Sequence, residues 1–248
     1  MNSKNTFSKE GICTYSFRDA NNNVFPSYIL QEFQDIASTH AEILKVGYND
    51  LIARDLIWVI TKSRFHIYKD IPYDEFKEIT WPQKKGVLDF NREYKFVDKN
   101  GNVLVKGTSK WCILNINTRK LVRTREVNYE GIDYFNEEVN FDDPYETLVE
   151  FEHNESNYLK TFDVNYSLLD HNLHLNNTHY ASFILDSIEG IEKKKITDLQ
   201  INYLNECHFK QKVSTYYKKH DDSNKIIIEG IRDDGVISFI GLVTLENI

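Results

Sequence analysis

Residues 168–180 read LLDHNLHLNNTHY, a run in which an acid, an amide and an imidazole recur at alternate positions: Asp170, Asn172 and His174. In an extended backbone every second side chain points to the same face. The spacing therefore predicts that these three converge while Leu173 and Leu175 point away. Asn176 and Asn177 read as the start of a helix whose first backbone N–H groups face the same place. Downstream stands the adjacent pair Glu206–Cys207. A base, an orienting group and donors for a developing oxyanion are what hydrolysis of an activated acyl group needs. The plainer use of Asp170 and Asn172 is to cap the approach to the helix.

Two other chemistries compete for these residues. Cys207 with His174 and Asn172 would make a Cys/His/Asn nucleophilic set, ranked below Glu206 because a buried, unactivated cysteine is the usual case. His171, His174, His179 and His208 beside Asp170 would suggest a metal centre. In an extended segment, however, His171 and His174 lie on opposite faces, so no metal is expected. The chain carries no Gly-x-Ser-x-Gly elbow and no glycine fingerprint for a dinucleotide or phosphate, and no cofactor is expected.

Bulk composition narrows the class. A chain of 248 residues suffices for one large domain or two smaller ones, and 15 Tyr with 15 Phe suggest β-rich packing. Only 4 Pro and 10 Gly argue against disorder, and a net charge of −8 argues against nucleic acid as partner. Cys13, Cys112 and Cys207 are widely separated, which suits a reducing, cytoplasmic setting without disulfides. The N-terminal run MNSKNTFSKEG lacks an apolar signal core, and no apolar run approaches a membrane span, so no membrane association is expected.

The elements that must position these residues occur twice. A strand-like run (12–19) precedes Pro26 and a helical stripe of Ile29, Leu30, Phe33, Ile36, Ala37, Ala41 and Leu44. Strand patterns follow at 57–68, 75–82, 89–98 and 103–114, with KNGN (99–102) as a hairpin turn. The second half repeats the order: a strand at 161–168, a helix carrying Tyr180, Phe183, Ile184, Ser187 and Ile188, then strands at 196–204, 212–219, 225–232 and 236–245. Asp19, Asn21 and Asn23 precede the first helix as Asp170, Asn172 and His174 precede the second. Gly101 and Gly107 have the spacing of Gly235 and Gly241. This duplication predicts an α+β fold, a tandem (double) hotdog in which each curved antiparallel sheet wraps a long helix. The expected boundaries are 1–125 for the first copy, 126–158 for an acidic linker and 159–248 for the second.

DHNLHLNN (170–177) resembles the Asp-x-Asn-x-His-apolar-Asn-Asn signature of acyl-acyl-carrier-protein thioesterases, and NECHF (205–209) resembles the family's Glu-Cys element. IWVITKSRFHIYKDIPYDEFKEITWP (57–82) and KGTSKWCILNINTRKLVR (106–123) resemble its N-terminal strands and turn. The resemblance covers nearly the whole chain. It implies a soluble thioester hydrolase of fatty acid biosynthesis acting on acyl-acyl carrier protein, with Asp170, Asn172, His174 and Glu206 as catalytic residues. Glu206, with or without His174, would take a proton from water. Asn172 would position water or thioester, Asp170 would orient its neighbours, and N–H groups near Asn176 and Asn177 would meet the oxyanion. Which of Glu206 and His174 is the base stays open.

The first copy has Asn23 where His174 stands and no matching Glu after the strand ending near Tyr68. It reads as the non-catalytic copy that receives the acyl chain, with Trp58, Ile60, Phe65, Phe90 and Trp111 as candidate lining. An acidic carrier docking on an acidic enzyme needs a local basic patch, for which Lys106, Lys110, Arg119, Lys120, Arg123 and Arg125 are the candidates. Acyl-CoA hydrolysis and a non-catalytic acyl- or carrier-binding module are the rival readings. Chain-length preference and further association into a homodimer stay open.

Overall fold

In the computed structural model, which describes residues 4–127 and 129–248, the chain divides into two compact units. Unit 1 comprises residues 1–17 and 30–144, and unit 2 comprises 18–29 and 145–248. The first three residues, read above for a targeting signal, and Asn128, inside the expected linker, lie outside the described residues.

The first half contains β1 (Phe7–Ile12), α1 (Pro26–Ile43), α2 (Tyr48–Ile52), β2 (Leu56–Ile67), β3 (Glu75–Pro82), β4 (Asp89–Val97), β5 (Val103–Asn115) and β6 (Lys120–Val122). The second contains β7 (Tyr158–Asp163), α3 (His179–Ser187), β8 (Lys194–Tyr203), β9 (Lys212–Lys219), β10 (Lys225–Arg232) and β11 (Ile237–Asn247). The strands of unit 1 run in the order β1-β3-β4-β5-β2, with β6 paired to β5; those of unit 2 run β7-β9-β10-β11-β8. The two antiparallel sheets therefore repeat one topology.

Pro26 opens α1, where its missing N–H and fixed φ cost nothing. The stripe Ile29, Leu30, Phe33, Ile36 and Ala37 is buried as its spacing requires. The helix closes on Lys45 in the left-handed conformation (φ 59°), with the Val46 N–H bonded back to Ala41 O, and Val46 itself is buried. On the sheet of unit 1, Phe33 stacks on Tyr94 at 4.1 Å and lies against Gly107, where a Cβ would come within 2.1 Å of its ring. In unit 2, Ile184 of α3 meets Gly241 in the same way, at 2.6 Å. Each helix thus approaches its sheet over a glycine with no side chain to hold it off. The paired turn glycines, Gly101 and Gly235, share φ 82°.

Two expectations need correction. The strand patterns over 12–19 and 161–168 begin earlier and stop at Ile12 and Asp163. The remainder forms 3-10 turns, Tyr15–Phe17 and Tyr166–Leu168. Each turn leads into a loop whose Asp side chain takes the backbone N–H groups that a strand would need for pairing.

The acidic segment at 126–158 divides between the units. Asn140 donates to the main-chain oxygens of Tyr94 (2.7 Å) and Gly107 (2.9 Å) in unit 1. In unit 2, Gln200 pairs with the backbone of Glu146, and Leu148 and Phe151 pack on Ile227, Ile240 and Leu242.

Candidate active site

Residues 170–174 are a tight turn rather than an extended strand, which corrects the alternation argument. The Asp170 N–H donates to His174 O (2.8 Å) and the Leu173 N–H to Asp170 O (3.0 Å). Asp170 Oδ1 accepts from the N–H groups of Asn172 (2.8 Å) and His174 (3.1 Å). Leu173 sits at φ 63° and is 63% exposed. The same loop closes at Asp19–Asn23 and at Asp98–Asn102, with Asn22 and Gly101 in the left-handed position. Aspartate and asparagine are therefore explained locally by turn chemistry. The third loop differs in ending on a histidine that faces other titratable groups.

A backbone bridge sets His174 opposite His208, and the Leu175 N–H donates to Cys207 O (2.8 Å). In this two-stranded crossing Glu206 and His208 flank Cys207, which points inward and is fully buried. His174 Nε2 lies 3.5 Å from Glu206 Oε2, both side chains remaining partly open to solvent. The His208 ring meets the His174 ring edge-to-face at 4.8 Å.

The Cys207 thiol is pushed up from its ordinary pKa by burial, and the Tyr180 hydroxyl of α3 and Ser238 hydrogen-bond to it. A neutral thiol enclosed in this way is a poor nucleophile. Arg232 donates from Nη1 to the main-chain oxygen of Glu206 (2.6 Å). Its guanidinium is held from the other side by Asp234, whose carboxyl it keeps below the usual range. Asp234 thus pins Arg232, and Arg232 pins the backbone that carries Glu206.

The helix expected at Asn176–Asn177 starts at His179. Asn176 behaves as a capping residue, its Oδ1 accepting from the Thr178 N–H and hydroxyl, each at 3.0 Å. The Asn176 N–H is committed to Leu168 O (2.9 Å), whereas the Asn177 N–H meets no acceptor among the described residues.

Three of the five expected acyl-lining residues, Trp58, Phe90 and Trp111, line a cavity inside unit 1, together with Ala37, Ala41 and Ile132. Its empty volume is about 680 Å³, part of it open to solvent. Trp58 and Phe90 meet edge-to-face at 5.0 Å, and the indole N–H of Trp58 donates to Val46 O. Gln83, Asn91 and Arg92 contribute polar atoms to an otherwise apolar wall. Ile60 and Phe65 lie outside this lining. A bulge between Ile60 and Lys62 turns Phe65 to the same face as Trp58, where it sits opposite Gly107, fully buried in the core.

The basic candidates all fall in unit 1. Lys106 and Lys110 lie on β5, where Lys110 pairs with Asp89 at 3.2 Å. Arg119, Lys120, Arg123 and Arg125 are exposed around β6 and the turn after it. The partners that sequence reasoning missed are Arg232 and Asp234. They hold Glu206 through backbone, from a hairpin far along the chain, and no local spacing signals such a contact.

Comparisons with known proteins bear on the family and the fold. The family model for the acyl-ACP thioesterase N-terminal domain matches residues 4–132, and that for the C-terminal domain matches residues 151–235. An oleoyl-acyl carrier protein thioesterase of Arabidopsis thaliana is 32% identical over 201 residues, covering 70% of this chain and 52% of that protein. An acyl-[acyl-carrier-protein] hydrolase of Cuphea viscosissima is 25% identical over 191 residues, covering 72% and 46%. The chain spans about half the length of the curated relatives it matches. Among solved structures, a 12:0-ACP thioesterase from Umbellularia californica superposes with a TM-score of 0.88 at 19% identity, covering 100% of this chain and 99% of that one. An acyl-ACP thioesterase from Bacteroides thetaiotaomicron gives 0.85 at 22% identity, covering 97% and 98%. The fold is the tandem hotdog, and the chain belongs to the acyl-ACP thioesterase family.

Proposed function

We propose that the chain hydrolyses fatty acyl-acyl carrier protein to free fatty acid and carrier protein, as the names of its relatives describe for them. The observation that carries this reading is the 3.5 Å approach of His174 and Glu206 on a backbone crossing pinned by Arg232. The pair takes a proton from water as its oxygen adds to the thioester carbonyl. The tetrahedral oxyanion is met by the Asn177 N–H, and collapse expels the thiolate, which recovers the proton. Asp170 acts through the turn, holding the backbone of Asn172 and His174. Asn172, exposed beside them, positions the water or the thioester.

In this reading the second copy does the chemistry and the first receives the acyl chain. The apolar walls of the unit 1 cavity support that division. The basic residues around β6 would meet an acidic carrier, and three separated, buried thiols suit a reducing, cytoplasmic compartment.

Thiol release measured over carrier-bound and CoA-bound acyl chains of equal length tests the reading. Turnover of the carrier-bound series at a kcat/KM about tenfold or more above the CoA series is expected. Equal rates would move the assignment to acyl-CoA hydrolysis, and no release from either would make the chain a binding module. Charge reversal at Arg119 and Lys120 should raise KM for the carrier-bound substrate alone.

A further inference from the structure

We propose that His174, Glu206 and His208 form a chelating site for a borderline divalent metal ion, for which zinc is the probe, and that its occupancy blocks hydrolysis. The blocking half rests on the function proposed above; the binding half does not.

One ligand atom from each of the three side chains lies within 4.8 Å of the other two. Glu206 and His208 are two residues apart, with Cys207 turned into the core between them, and His174 faces them from the adjoining stretch. Zinc–nitrogen and zinc–oxygen bonds near 2.1 Å in a tetrahedron place neighbouring ligand atoms about 3.4 Å apart. His174 Nε2 and Glu206 Oε2 already stand at 3.5 Å. His208, exposed and free of the core, would swing inward to complete a His₂Glu set of the kind that binds zinc.

Two imidazoles and one carboxylate select zinc, nickel or copper over magnesium or calcium, which take oxygen ligands. A bound ion would take the Nε2 lone pair of His174 and the Glu206 carboxylate, the groups assigned to the water's proton. His171, which the sequence offered for such a site, is not one of the three.

Zinc titration by calorimetry, beside thiol-release assays in the same zinc series, tests both halves over about 0.1–100 µM. The wild-type protein should bind one zinc per chain and lose activity in parallel, with recovery on adding a chelator. His208→Ala and His208→Gln should keep basal turnover and weaken both binding and inhibition at least about tenfold, while His171→Ala changes neither. Equal zinc affinity in wild type and both His208 variants, or no binding in this range, overturns the site. Zinc bound at full stoichiometry without loss of activity overturns the block. If no thioester is hydrolysed at all, the function fails while calorimetry still judges the site.

Discussion

The Arg232 guanidinium donates to the main-chain oxygen of Glu206 at 2.6 Å while Asp234 grips its other edge. This contact ties the tip of the β10–β11 hairpin to the backbone beside the candidate base. Arg232→Ala should lower kcat about 10–100-fold with little change in KM, because displacement of a catalytic group by about 1 Å can cost that much. Steady-state kinetics on carrier-bound substrate decides it, and an effect confined to KM would remove the positioning role.

Glu206 and Cys207 are adjacent, yet one faces His174 and the other the core. Glu206→Gln should reduce kcat by about 10²–10⁴-fold. Cys207→Ala should retain activity within a few-fold and lose about 1–2 kcal/mol of stability through the cavity it leaves. Since burial raises the Cys207 pKa, the native thiol should also resist alkylation at neutral pH. The opposite pattern, an active Glu206→Gln and a dead Cys207→Ala, would make the cysteine the nucleophile.

Leu173 occupies the left-handed position of the Asp170 turn, a conformation that costs a non-glycine residue about 1–2 kcal/mol. Leu173→Gly should therefore leave stability unchanged or raise it by up to about 1 kcal/mol, with activity kept. In an extended strand the same change would destabilise. Asp170→Ala removes the acceptor for two N–H groups and should lower both melting temperature and kcat. Thermal unfolding and thiol release measure both.

Glu78 is fully buried beside Lys9 and Glu32; Lys9 lies 3.3 Å from Glu78 and 2.7 Å from Glu32. Burial, reinforced by Glu32, pushes its carboxyl up to about 9 from an ordinary 4.5. Between these values the folded protein keeps a proton that the unfolded chain has released, so this group's contribution to stability falls as pH rises. Glu78→Gln should flatten the decline between about pH 5 and pH 9. Chemical denaturation of both proteins at pH 5, 7 and 9 checks the sign, and parallel curves would refute it.

Ala41 lines the unit 1 cavity on α1, close to Trp58 and Phe90. Ala41→Phe should fill part of that space and shift turnover toward shorter acyl chains, with rates on the shortest substrates nearly unchanged. A chain-length profile that does not move would take the acyl chain out of this cavity.

Periodicity alone disclosed the two-fold design. The α1 stripe, the strand patterns and the glycine pairs Gly101/Gly107 and Gly235/Gly241 all report backbone demands that repeat locally. A turn needs a positive φ, and a helix crossing a sheet needs a missing Cβ. The chemistry-bearing residue types were equally plain, since His174 and Glu206 stand out beside the plain Asn23 of the first copy. The three-dimensional structure decided how they meet. Asp170 bonds to backbone within its own turn, which alternation cannot express, and a single bulge in β2 turns Phe65 to the same face as Trp58, where the core encloses it opposite Gly107. Arg232 reaches Glu206 only because β10 and β11 fold back beside it. Sequence patterns record what each segment needs from its neighbours along the chain, whereas pairing across the sheet fixes which distant side chain satisfies it.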